Sequence, residues 1–205
     1  MQLQKEKLLQ SLRANKFSDN IIEAFSAVPR EKFVPEEFAV NSYDDLALPL
    51  NEVGSTLSQP SVIAIMLQLL EVKEEDKILE IGSGCGYVLS LLSHLAKKGE
   101  IYGVEINTRL AADSIKTLEG DKKIKVFNTD GSLGLPSHAP YDRILISASA
   151  QDLTTVYQIL DQLKDPGIMV APVKDSLFQI KKINKKLEKH EFPGFLFVPL
   201  VKSNP

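Results

Sequence analysis

Residues 78–87, ILEIGSGCGY, constrain this chain more than any other stretch. Residues 78–81 form a short apolar run of buried-strand type, broken only by Glu80, and an apolar helical pattern opens at Tyr87. Between them Gly82, Gly84 and Gly86 alternate with Ser83 and Cys85. Glycines so spaced permit the positive dihedrals and the close approach of main chain to ligand that a tight strand-to-helix turn requires. The alternation continues on both sides. An apolar helix is expected over residues 61–71, then the strand 78–81, a helix over 87–97, a strand over 101–104, a helix over 108–118 and a strand over 124–127. After the breaks at Pro136 and Pro140 come a strand over 143–147 and a helix near 152–163. Such a sequence predicts a mostly parallel sheet between helices, with its ligand crevice beyond the carboxyl ends of the strands. Three further β-like runs, 167–173, 177–183 and 195–201, follow a turn at 164–167 and predict an antiparallel pairing at the C-terminal end.

The first sixty residues read differently. Leu3, Leu8, Leu9 and Leu12, then Ile21, Ile22, Phe25 and Val28, recur at helical spacing, and residues 43–60 are rich in proline, glycine and polar side chains. A loop of that length suggests function rather than connection. At 205 residues the chain fits one domain. Residues 1–60 would supply helices and a substrate loop, and residues 61–205 the α/β core and terminal strands. A charged content of 25% against 43% hydrophobic residues argues against long disorder. The net charge of −3 gives no electrostatic reason for a nucleic-acid or acidic-membrane partner. Lys5, Glu6, Lys7 and Arg13 interrupt any signal-peptide core, and no apolar run approaches a membrane span, so a cytoplasmic monomer is expected. Cys85 alone cannot form an internal disulfide, and His94, His138 and His190 lack metal-ligand spacing, so no metal is expected.

Two acidic residues fall at strand ends in register with the glycine turn. Glu105, about twenty residues downstream, is placed to accept hydrogen bonds from ribose hydroxyls, with Ile106 beside it. Asp130, followed by Gly131 in NTDGSLGLP, is placed to accept from an adenine amino group, although Asp-Gly is also a common turn. A dinucleotide-binding turn would want glycine where Tyr87 stands. The spacing GxGxG with Glu80 upstream instead resembles the first motif of class I methyltransferases. That resemblance implies a Rossmann-like methyltransferase fold and the cofactor S-adenosyl-L-methionine, leaving S-adenosyl-L-homocysteine as product. Gly82, Ser83, Gly84, Cys85, Gly86, Glu105, Ile106, Asp130 and Gly131 would bind it.

VPREKFVP at residues 28–35, SYDDLALPL at 42–50, GSTLSQP at 54–60, EIGSGCGY, TDGSLGLP and FVPL at 197–200 together resemble the protein-L-isoaspartate O-methyltransferases, in order and over most of the chain. GSTLSQP is the most specific element. The resemblance implies methyl transfer to the α-carboxylate of L-isoaspartyl residues in damaged proteins or peptides, a repair reaction. It implies Ser58 as the active-site residue, with Thr56, Leu57, Ala148, Ser149 and Val198 helping to hold an extended peptide. Ser58 is read as a hydrogen-bond donor to the carboxylate, since an acceptor already ionised at neutral pH needs no general base. The competing local role is capping, because Ser58 or Ser61 could cap a helix opening near Pro60.

The chain departs from the family at several places. Ser55 stands where glutamine is frequent, Thr129 replaces a glycine before Asp130, Lys174 follows Pro172-Val173, and SASAQ at 147–151 lacks a following proline. The last departure weakens the assignment of Ala148 and Ser149. Cys85 reads as a small turn residue rather than a reactive thiol, and the basic run 181–190 as a solvated edge or hairpin. Two other functions stay open: methylation of a different carboxylate or small molecule, and a catalytically silent cofactor-binding module.

Overall fold

The computed structural model describes residues 1–51 and 54–202. Two helices, α1 (Gln2–Ala14) and α2 (Asp19–Ala27), lead through two 3-10 turns to a two-residue antiparallel pair, β1 (Leu48–Pro49) and β2 (Thr56–Leu57). Then follow α3 (Pro60–Leu70), β3 (Lys77–Ile81), α4 (Tyr87–Leu95), β4 (Glu100–Glu105), α5 (Thr108–Leu118), β5 (Ile124–Asn128), β6 (Tyr141–Ile146), α6 (Leu153–Tyr157), β7 (Leu163–Val173), β8 (Ser176–Ile183) and β9 (Lys186–Pro193). The last seven strands form one sheet in the order β5-β4-β3-β6-β7-β8-β9. It is parallel through β7, while β8 and β9 join antiparallel.

Strand alternation divides the apolar residues between two cores. Ile78, Ile101, Leu145 and Val170 face α3 and α4, against which α1 and α2 are stacked. Leu79, Ile81, Val104, Ile144, Ile146 and Met169 face the other way, under α6 and the chain around Leu135 and Tyr141. The chain order reverses between β3 and β6, so the crevice at a topological switch point opens beyond those two strands. Among the described residues no helix is long and apolar enough to cross a membrane.

Three local expectations fail for reasons of tertiary pairing. The helix near 152–163 is only one turn of α-helix, α6, plus a 3-10 turn at Leu160–Gln162, because Leu163 is drawn into β7 beside Tyr141. The expected turn at 164–167 lies inside β7, where the register with β6 shifts. The run 195–201 is not a sheet strand. Asn184 and Lys185, at φ 53° and 62°, make a tight turn that folds the basic residues back along β8 as β9, so the hairpin forms earlier than apolar content suggests. Gly194, at φ 94°, then ends the ladder.

Candidate active site

The carboxyl ends of β3, β4 and β5 lie side by side, so three loops distant in sequence meet on one rim. In the turn after β3, Gly82, Gly84 and Gly86 hold φ of 77°, 52° and 85°. At Gly86 a side chain is excluded twice, by that φ and because a Cβ would lie 2.6 Å from Leu118 Cδ1 on α5. Glu105, buried at the end of β4, accepts from the Gly84 N–H through Oε2 and from the Asn107 N–H through Oε1, both at 2.8 Å. Its carboxylate is thereby tied to the glycine turn and keeps lone pairs for further donors. Ile106 is half-buried, its carbonyl held at 3.2 Å by the Asn128 side-chain amide. Asp130 accepts from the Ser132 N–H at 2.8 Å, so the Asp-Gly turn exists at the very place where the ligand contact was expected. Gly131 packs so tightly that a Cβ would lie 2.7 Å from Ile81 Cγ2, which seats this loop directly on β3.

Beneath the turn, Glu80 is 1% exposed. Its Oε1 accepts from Ser147 Oγ at 2.7 Å, while Oε2 has no partner among the described residues. Burial, aided by Glu105 and opposed by the Ser147 hydrogen bond, pushes this carboxyl up to about 8. Ser83 Oγ is likewise buried and unpartnered. Burial pushes the Cys85 thiol up to about 11, consistent with a turn residue and not with a nucleophile. A glycine turn, a carboxylate on the neighbouring strand and orphaned buried oxygens suit a nucleoside ligand that brings its own hydrogen-bond donors.

On the other side, the β1–β2 pair brings residues 48–51 and 54–58 to this rim. Leu57 is buried, and Thr56 and Ser58 are half-buried. The Ser58 carbonyl accepts from Arg30 Nη2 at 2.9 Å, and its hydroxyl has no hydrogen-bond partner among the described residues. Arg30 is fully buried, its guanidinium 5.1 Å from the centre of the Tyr87 ring. The capping role weighed for Ser58 and Ser61 is not realised, because Gln59 is the N-cap of α3 and no side chain caps it. Ser61 instead accepts from Gln59 Nε2 at 3.1 Å and donates its N–H to Asp45.

Two concavities meet at Ser58. The inner one is lined by Glu80, Gly82, Ser83, Met66, Ser58 and Ser147, and the outer, of ≈ 240 Å³, by Ser58, Ser147, Gln59, Leu196, Phe197 and Val198. Thr56, Ser58 and Ser147 line both. Val198 therefore lines the outer cleft. Ala148 and Ser149 do not line the outer cleft. Ala148 is buried behind Gly82, and Ser149 pairs by backbone with Val198 and Leu200 at 2.7 and 2.8 Å while its hydroxyl turns to the Lys174 carbonyl. Ser147, absent from the expected site residues, takes the facing position. Its place at the carboxyl end of a strand next to the glycine strand is the signal that could have found it. Arg30 carried no such local signal, because its role depends on burial.

A glycine-lined turn with Tyr87 where a dinucleotide turn would have glycine, a tethered acidic residue on the next strand and a sheet ending in antiparallel strands define a class: the S-adenosylmethionine-dependent methyltransferases. Within it, the profile of protein-L-isoaspartate(D-aspartate) O-methyltransferases matches residues 3–205. The chain is 38% identical over 206 residues to the protein-L-isoaspartate O-methyltransferase of Methanothrix thermoacetophila, covering 97% of this chain and 95% of that one. A solved protein-L-isoaspartate O-methyltransferase superposes with a TM-score of 0.84 at 27% identity, over 95% of this chain and 65% of the other. A beta-aspartate methyltransferase from Plasmodium falciparum, solved with S-adenosyl-L-homocysteine, shares the fold at a TM-score of 0.82 and 22% identity, over 96% and 98% of the two chains. The chain belongs to the protein-L-isoaspartate(D-aspartate) O-methyltransferase family.

Proposed function

We propose that this protein transfers a methyl group from S-adenosyl-L-methionine to the α-carboxylate of L-isoaspartyl residues in damaged proteins and peptides. The observation that carries this reading is the Ser58 hydroxyl, without a hydrogen-bond partner among the described residues, on the lining of both the inner cavity and the outer cleft. Glu105 would receive the ribose hydroxyls, the turn from Gly82 to Gly86 would lie along the cofactor, and Ile106, Asp130 and Gly131 would border its base. When bound, the cofactor supplies an electrophilic methyl on a sulfonium.

The protein's own work is orientation and exclusion of water. The acceptor has a reference pKa below about 4 and arrives ionised, so no side chain needs to take a proton. Ser58 donates to one carboxylate oxygen and leaves the other free to face the methyl. Leu57, Ile63 and Met66 line the inner cavity and shield the partly neutralising charges from bulk water. The outer cleft opens beside Leu196, which is 90% exposed, and Phe197, where an extended peptide can lie across the rim. The single cysteine, which can form no internal disulfide, fits a reducing compartment such as the cytoplasm.

Labelled methyl transfer to paired peptides tests this. The isoaspartyl peptide should be methylated and its aspartyl twin should not. Equal labelling of the pair, or cofactor binding with no turnover on either, would overturn the substrate assignment.

A further inference from the structure

We propose that Ser147 is a second hydroxyl on the substrate carboxylate, and that Glu80 beneath it is the positioning residue that frees it to donate. The proposal rests on the isoaspartyl reading of the site and assigns a partner to the other half of the carboxylate. Ser147 directly follows β6, and its N–H donates to the Ile81 carbonyl at 2.8 Å, which fixes it beside the glycine turn. With Ser58 and Thr56 it lines both the inner cavity and the outer cleft, so both serines border the place where the two concavities adjoin. A carboxylate has two oxygens and about four acceptor sites, and one serine satisfies a single one.

Ser147 Oγ lies 2.7 Å from Glu80 Oε1. If Glu80 were ionised it could only accept, and it would hold the Ser147 proton away from the cleft. Glu80 is 1% exposed, and it takes part in no ion pair among the described residues. Ile63 and Met66 from α3 and Tyr87 from α4 line the same cavity, and the titratable groups that act on Glu80 are Glu105 from β4 and the Cys85 thiol from the turn, which itself feels Arg30. Burial pushes the Glu80 carboxyl up to about 8, so at neutral pH it carries a proton of its own. That proton can be given to Ser147 Oγ, and the Ser147 O–H then turns toward the substrate.

The decisive comparison is Ser147→Thr against Ser147→Val, nearly equal in shape and differing in the hydroxyl. With isoaspartyl peptide at saturating cofactor, S147T should exceed S147V at least tenfold in kcat/KM, with S-adenosyl-L-homocysteine affinity by calorimetry agreeing within twofold. Wild-type kcat/KM should fall along an alkaline limb as Glu80 ionises, and Glu80→Gln, which keeps a donor, should lack that limb. Equal activity of S147T and S147V in a background where wild type discriminates isoaspartyl from aspartyl peptide overturns the second hydroxyl and leaves the substrate reading intact. An unchanged alkaline limb in E80Q overturns the role of Glu80. Loss of isoaspartyl selectivity in wild type itself overturns both readings.

Discussion

Ser58 presents a hydroxyl that bonds to nothing in the described protein, on a backbone pinned from below by a buried arginine. A side chain with no structural task can be removed at little structural cost. Ser58→Ala should therefore leave the unfolding midpoint almost unchanged and S-adenosyl-L-homocysteine affinity within twofold. A hydrogen bond to a charged group contributes about 1.5–3 kcal/mol, so turnover of isoaspartyl peptide should fall roughly ten- to hundredfold. Steady-state kinetics beside calorimetry separate the two effects, and a parallel loss of cofactor affinity would refute the assignment. At this scale the sequence was most legible where chemistry is local. Glu105 and the glycines follow from spacing along one chain segment, whereas Ser147 and Ser149 differ by two positions in one run and end with their hydroxyls in different surroundings.

Among the elements, the turn from β3 to α4 is sensitive to a single methyl group. Gly86 combines a φ of 85° with a space in which a Cβ would come within 2.6 Å of Leu118 Cδ1. Gly86→Ala should destabilise the fold by about 1–3 kcal/mol through backbone strain and overpacking. Thermal unfolding would register this as a drop of several degrees, and a wild-type midpoint would show that the turn relaxes freely. Helices with strong apolar period, such as α5, were legible to their exact ends, because capping and amphipathic pattern agree there: the Asn107 side chain accepts from the Leu110 N–H at 3.1 Å. The short α6 was not, because pairing to β6 overrides local pattern, whereas β9 falls in the basic run read as a solvated edge or hairpin.

For the molecule as a whole, Glu80 couples the site to global stability. Its ordinary value near 4.5 is raised to about 8 in the folded chain. Between these limits the native state holds a proton that the unfolded state has released, so this residue's contribution to stability is full below about pH 4.5 and is lost as pH rises through about 8. The loss runs at up to about 1.4 kcal/mol per pH unit within the window and stops above it. Urea unfolding of wild type and Glu80→Gln at several pH values from acid to mildly alkaline should show the difference between the two narrowing or reversing across that window. A constant difference would show that Glu80 is ionised throughout. The sequence by itself determined the alternating strands and helices, the glycine turn and the acidic strand end, since each depends on hydrophobic period and steric limits within one segment. Only the tertiary structure decided which hydroxyls share the cleft, that Arg30 underlies Ser58, and that Glu80 is buried without a counter-charge. Those depend on segments tens of residues apart being brought to one rim, and on the direction each strand-end side chain takes when they meet.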